Sequence, residues 1–255
     1  MQGARFRRVI VNRPDLRIPF PGQFAERIRG TTVEAVMRRG KYLLMPLSSG
    51  ETLIVHLGMS GWFHVAPIGD RARGAEAHDH VVFVMSSGLS AVFNDPRRFG
   101  FMDLAASGEV TEYASLKAMG PEPLSPEFTG ASLSRACRGK KTSIKAALLD
   151  QRVVGGLGNI YASEALHHAR LSPLRKASSL ATATGKPKKE AAALAASIKA
   201  VLAGAIRRSE SPYRAGRFRV YQRAGEPCLR RGCSGTIRQI TQAARSTFYC
   251  PVCQK

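Results

Sequence analysis

The chain has 255 residues, 44% of them hydrophobic, which is enough for packed cores in two modest domains or one large one and argues against wholesale disorder. Lysine and arginine total 39 against 18 aspartates and glutamates, a formal charge of +21, so the natural partner is a polyanion, DNA or RNA first. The plainer alternative is a basic soluble enzyme or a ribosome-associated protein.

The first hundred residues read as strands. Phe6–Val11, Thr31–Val36, Tyr42–Leu47, Thr52–Leu57, Val81–Met85 and Leu89–Phe93 are short apolar or alternating runs. Turn residues such as Ser48-Ser49-Gly50 and Ser86-Ser87-Gly88 separate them, a spacing that predicts a β-sandwich or barrel. Asp70–Ala77 reads as an exposed loop. Proline and glycine thicken at Gly120–Gly130, GPEPLSPEFTG, which marks a domain boundary. Beyond it the period becomes helical. Thr142–Leu149 pairs Ile144 with Leu148, Asn159–Ala169 puts Tyr161, Ala165 and Ala169 on one stripe, and Lys188–Arg208 repeats Leu194, Ile198, Val201, Leu202 and Ala205. Ala177–Pro187 reads as a loop. The apolar run Ala191–Ile206 is shorter than a membrane span and carries Lys199, and Met1–Ile10 has no apolar core behind it. A cytoplasmic location is therefore expected.

Four of the five cysteines lie near the end, Cys228, Cys233, Cys250 and Cys253, spaced C-x4-C and C-x2-C. In a reducing compartment this pattern predicts a metal rather than disulfides, and zinc takes four thiolates in a tetrahedron. Such a zinc is structural, since four protein ligands leave no open position; four unrelated thiols are the alternative. Cys137 stands alone and is expected to be inert. Gly235–Phe248 is long enough for a β-hairpin. Arg230, Arg231, Arg238 and Arg245 offer phosphate-binding forks or simply a solvated basic surface.

Longer motifs carry a resemblance. DQRVVGGLGNIYASEALHHARLSP (Asp150–Pro173) resembles the helix–two-turn–helix of the bacterial formamidopyrimidine-DNA glycosylases and their endonuclease VIII relatives. RRGKYLL (Arg38–Leu44), HLGMSG (His56–Gly61) and NDPRRFG (Asn94–Gly100) resemble that family's β-sandwich, and the tail ending ARSTFYCPVCQK its zinc finger. The resemblance implies an α+β fold: an N-terminal β-sandwich (1–118), a helix–two-turn–helix domain (119–215) and a C-terminal zinc-finger β-hairpin (216–255). It implies one structural zinc, a monomer, and double-stranded DNA with oxidised or abasic sites as partner, in a bacterial cytoplasm on the nucleoid.

The residues agree with that reading. Gly155, Gly156 and Gly158 allow a tight turn onto a helix, Asn159 suits its N-cap, and Lys141 and Lys145, one turn apart on the preceding helix, can flank a phosphate there. The resemblance gives Asn159 and Lys145 this phosphate role. It gives Met59, Arg97 and Phe99 the task of filling the gap left by a flipped-out nucleotide; taken alone, Met59 and Phe99 read as core. The trio points to the formamidopyrimidine branch. His78 matches a DNA-contacting histidine, Lys41 a lysine that contacts the damaged nucleotide and assists catalysis, and Arg245 the zinc-finger arginine that reaches the lesion and helps the final elimination.

The implied reaction is glycosylase and lyase chemistry on oxidised purines. An N-terminal proline amine attacks C1′, a Schiff base forms, and β- and δ-elimination cut the strand, with the next glutamate as acid and base. No Pro-Glu pair occurs before Arg5; Pro121-Glu122 lies mid-chain without a free amine. Two expectations follow: an upstream start, or a chain that binds damaged DNA without excising. Weak lyase action through Lys41 at abasic sites is a further expectation. Ser209–Tyr221 reads as shorter than the family's loop over the flipped base, which bears on 8-oxoguanine recognition. A ribosomal zinc protein fits the charge and the cysteines but none of these motifs.

Overall fold

The computed structural model describes residues 1–69, 76–207 and 218–255. The anticipated loop Asp70–Ala77 lies outside them except for its last two residues, and the short link Ser209–Tyr221 lies outside them up to 217. The chain divides into two compact units, Met1–Lys117 and Ala118–Lys255.

The first unit holds β1 (Phe6–Val11), α1 (Phe24–Ile28), β2 (Met37–Arg39), β3 (Tyr42–Pro46), β4 (Glu51–His56), β5 (Trp62–Pro67), β6 (Asp79–Met85), β7 (Leu89–Asn94), β8 (Phe101–Ala106) and α2 (Ala114–Lys117). Two four-stranded antiparallel sheets form, ordered β1-β6-β7-β5 and β2-β3-β4-β8. Phe6, Val81, Phe83 and Phe93 of one sheet share a core with Met45, Leu53, Val55 and Met102 of the other, so the architecture is a sandwich. Each such side chain contributes roughly 1.5–3 kcal/mol by leaving water. Phe6 meets Phe83, and Phe63 meets Phe93, with ring centroids 5.2 Å apart in both pairs.

One expected strand needs correction, and two strands were not anticipated. Thr31–Val36 is no strand: it makes only the isolated bridges Arg5–Thr32 and Val33–Leu47, because Ile28, Thr31 and Val33 turn inward after α1. β2 starts one residue later, at Met37. β5 and β8 escaped the sequence reading. β5 is an edge strand that tolerates Pro67 at its end, and β8 runs on directly from a turn and carries Asp103.

The second unit holds α3 (Gly130–Cys137), α4 (Ile144–Leu149), α5 (Asn159–His168) and α6 (Lys189–Arg207), then the hairpin β9 (Arg238–Gln242) and β10 (Arg245–Tyr249). Phe128, Leu133, Ile144, Leu148, Leu157, Leu166, Leu194 and Ile198 form its helical core. α3 was not anticipated; Thr129 and Ser132 start it with a reciprocal cap, in which serine replaces the usual Glu or Gln. Ser143 caps α4, so Lys141 precedes that helix and does not share it with Lys145. The N-cap of α5 is Gly158, with Asn159 its first helical residue, and of the three glycines before it only Gly156 has positive φ. The expected loop at Ala177–Pro187 opens with a short 3-10 turn, Ala177–Leu180, that buries Ala177 and Leu180. Val220, Ile237, Phe248, Cys228 and Cys250 make a separate small core under the hairpin.

Candidate nucleic-acid interface and metal centre

In the first unit two loops meet backbone to backbone. Gly58 has φ +70, and a β-carbon there would lie 2.5 Å from both the Gly100 nitrogen and the Phe99 carbonyl carbon. Only glycine lets HLGMSG press against NDPRRFG in this way. Asp95, fully buried, ties the pair together. Ser60 Oγ donates to its Oδ1 at 2.5 Å and the Gly100 amide to its Oδ2 at 2.8 Å. The Asp95 amide donates to the His78 carbonyl at 3.0 Å, and the Asp95 carbonyl meets His80 Nε2 at 2.8 Å. Asp95 thus holds the start of the His78 strand as well. Beside it, Asn94 Nδ2 donates to Asp79 Oδ1 at 2.8 Å.

What this frame presents is apolar and cationic. Met59 is 58% exposed and Phe99 42%, high values for such side chains on rigid loops. The Arg97 guanidinium stands 4.8 Å over the Phe99 ring, a cation–π pair, while Arg98 takes a left-handed turn at φ 56. His78 is exposed at the mouth of β6. Lys41 is exposed on the Gly40–Lys41 turn between β2 and β3. His56, which sequence reading noted only as part of HLGMSG, stacks on Phe101 with centroids 5.6 Å apart and accepts the Gly58 amide at Nδ1. Burial, then the charges of Lys41 and Arg17, hold its pKa below the ordinary value, so Lys41, Arg17 and His56 share one basic neighbourhood.

In the second unit Lys145 and Asn159 meet at the start of α5. Lys145 is fully buried. Its Nζ donates to Asn159 Oδ1 at 2.6 Å, Thr247 Oγ1 at 2.8 Å and the Ser246 carbonyl at 3.3 Å, which uses all the protons of an ammonium. Asn159 Nδ2 donates to the same Ser246 carbonyl at 3.0 Å. Burial, then the charge of Arg245, lowers the Lys145 pKa to about 8. Lys141 is exposed on the approach to α4, and Arg245 is exposed at the first position of β10. Sequence reading found Lys145 and Asn159 but not their shared anchor on the hairpin.

α5 grips the finger along its length. The Glu164 carboxylate accepts the amides of Arg219, Val220 and Tyr221 at 2.9–3.0 Å. Arg230 donates to the His167 carbonyl and covers the C-terminal end of the helix. Gln254 accepts the Cys250 amide and donates to the Leu171 carbonyl, both at 2.8 Å.

The sulfurs of Cys228, Cys233, Cys250 and Cys253 all lie within 4.8 Å of one another. Cys228 and Cys253 are 3.8 Å apart and Cys233 and Cys250 3.6 Å. Zinc–thiolate bonds of about 2.3 Å in a tetrahedron need sulfur–sulfur edges of roughly 3.8 Å. The four cysteines therefore fit one structural zinc. Cys137 is buried, and burial pushes its thiol up to about 11, which leaves it unreactive.

Family models match in the order the structure displays: the formamidopyrimidine-DNA glycosylase N-terminal domain at residues 1–102, its H2TH domain at 119–215, and the zinc finger found in FPG and IleRS at 225–255. The chain belongs to the formamidopyrimidine-DNA glycosylase family. The formamidopyrimidine-DNA glycosylase of Bradyrhizobium sp. strain BTAi1 is 51% identical, over all of this chain and 94% of that relative. The one from Rhodopseudomonas palustris strain BisA53 is 49% identical with the same coverage. Among solved structures, the Lactococcus lactis formamidopyrimidine-DNA glycosylase bound non-covalently to DNA containing an AP site superposes with TM-score 0.87 at 30% identity, over all of this chain and 94% of that one. MutM in complex with DNA containing carbocyclic 8-oxo-G gives the same TM-score, identity and coverages. The family's sandwich accounts for the two glycine-tight loops, and its H2TH and zinc-finger parts for the α5–hairpin clamp. No described helix is long and apolar enough to cross a membrane.

Proposed function

We propose that this chain acts in base-excision repair, as a glycosylase and abasic-site lyase on duplex DNA carrying oxidised purines such as formamidopyrimidine and 8-oxoguanine. The observation that carries the reading is the exposed trio Met59, Arg97 and Phe99 on two loops braced by one buried carboxylate. Apolar side chains held rigid in water are a cost to a monomer, and the cost is recovered when they replace a flipped-out nucleotide in the stack. In this reading Met59, Arg97 and Phe99 fill the gap and His78 contacts the backbone nearby. Lys41 meets the damaged nucleotide and assists the chemistry. Lys145 and Asn159, with Lys141 at the approach, form a phosphate seat at the start of α5, and Arg245 reaches the lesion from the hairpin. The relatives' names and the lesion-bearing DNA in the neighbouring structures support the same assignment. The working location that follows is the bacterial cytoplasm, on the nucleoid, as a monomer with the domain limits given by the resemblance.

Borohydride trapping of the protein on an 8-oxoguanine duplex is the test. A covalent protein–DNA complex and a nicked strand are the expected results. Duplex binding without trapping reassigns the chain to damage recognition without catalysis.

A further inference from the structure

α5 carries Asn159 at its start, and its last turn ends at the zinc thiolates. His167, in that turn, is fully buried. Its Nε2 lies 3.3 Å from Cys228 Sγ, and its Nδ1 has no hydrogen-bond partner among the described residues. Burying an imidazole without a polar partner is costly, so the contact with sulfur is the one that offsets it. A zinc-bound thiolate sulfur has lone pairs and no proton. A bare Nε2 would set lone pair against lone pair in a dry site. With zinc on the sulfur, the contact is favourable only for the tautomer that carries its proton on Nε2.

We propose that His167 is an outer partner of the zinc centre, donating Nε2–H to Cys228 Sγ, and that it ties metal retention to the helix that carries Asn159. Four thiolates leave zinc with a net charge of about −2, and an N–H donor on one sulfur draws off part of that excess. The same turn is fixed a second time by Arg230, which reaches the His167 carbonyl from between Cys228 and Cys233. Ring and carbonyl of one residue thus hold two points of the C-x4-C turn, Cys228 and Arg230. The inference rests on the zinc centre and not on the excision chemistry, so a failure of trapping leaves it standing.

The first arm of the test replaces His167 by Phe, which keeps a flat ring and removes the donor, and by Gln, which restores an N–H. Zinc transfer to a chromophoric chelator should show affinity reduced by about 10–100-fold in H167F, the usual size of such an outer-partner effect, and largely recovered in H167Q. In the cobalt-substituted protein the thiolate-to-metal charge-transfer band should move to lower energy in H167F and return in H167Q. Wild-type zinc affinity and an unmoved band in a folded H167F protein would reduce the contact to packing. The second arm needs no variant: nitrogen NMR of 15N-histidine-labelled wild-type protein loaded with 113Cd. A His167 ring protonated at Nε2, with scalar coupling to cadmium through the sulfur, is the expected signature; the Nδ1-protonated tautomer overturns the proposal.

Discussion

Ser60 Oγ donates to Asp95 Oδ1 at 2.5 Å while the Gly100 amide takes Oδ2 at 2.8 Å, so one buried acid sets the Met59 loop against the Phe99 loop. Asparagine at 95 has one acceptor oxygen and turns an N–H₂ toward either Ser60 or the Gly100 amide. Asp95→Asn should therefore destabilise the first unit by about 1–3 kcal/mol, the cost of a buried group left unpaired, read from urea melts. It should also blunt the insertion proposed for Met59 and Phe99, seen as a smaller 2-aminopurine signal opposite an abasic site. The salt dependence of DNA binding should stay unchanged, because no phosphate contact is lost.

The positions of this frame explain what the sequence could and could not disclose. Local patterns carried far: the cysteine spacing named the metal ligands, helical periodicity placed α4, α5 and α6, and alternation found β1, β3, β4, β6 and β7. Elements without a local signature were missed. β5 mixes polar and apolar residues because it is an edge, and α3 hides behind a proline-rich stretch with a serine in its cap. The supports of the site were the least legible. Ser60 and Asp95 are 35 residues apart and His167 and Cys228 are 61 apart, so neither pairing exists until the fold brings the partners together. Met59 and Phe99 show the converse. Their composition reads as core, and the motif's resemblance alone pointed to their exposure.

The phosphate role proposed for Lys145 gives DNA binding an expected pH edge. In the folded chain its pKa is lowered from 10.5 to about 8. Between those values the unfolded chain holds the extra proton, so this group's contribution to fold stability rises as pH climbs from about 8 to 10.5. Its proposed contribution to phosphate binding runs the other way: the charge is present below about 8 and is lost above. Affinity for an abasic duplex, followed by fluorescence anisotropy, should fall as pH passes through that value. Lys145→Met should lack this step, bind more weakly at neutral pH, and show a salt slope smaller by about 1.

The tip of the hairpin is strained. Gln242 pairs with Arg245 across Ala243 and Ala244, whose φ values are 48 and 56. A two-residue turn left-handed at both positions favours Asn-Gly, and alanine in that region costs roughly 1 kcal/mol or more per residue. Replacing Ala243 by Asn and Ala244 by Gly together should raise hairpin stability by about 1–2 kcal/mol, measured by chelator resistance and thermal melts. Because the register at Arg245 is unchanged, duplex affinity should hold. A loss of affinity in a more stable protein would mean that the strained tip itself meets DNA.

Zinc removal should uncouple the proposed phosphate seat. The core under the hairpin holds only a few buried side chains, two of them metal-binding cysteines, too little to keep β9 and β10 paired without the ion. When the hairpin loosens, Lys145 loses Ser246 and Thr247, and Asn159 loses the Ser246 carbonyl. A chelator, or Cys250→Ser, should therefore lower specific affinity for an abasic duplex toward the non-specific level, and zinc should restore it after chelation but not in the variant. The sandwich core of the first unit contains none of the four ligands, so its melting transition should persist in the metal-free protein. Scanning calorimetry with and without zinc separates the two outcomes: loss of one transition is expected, and loss of both would place the metal under the whole fold.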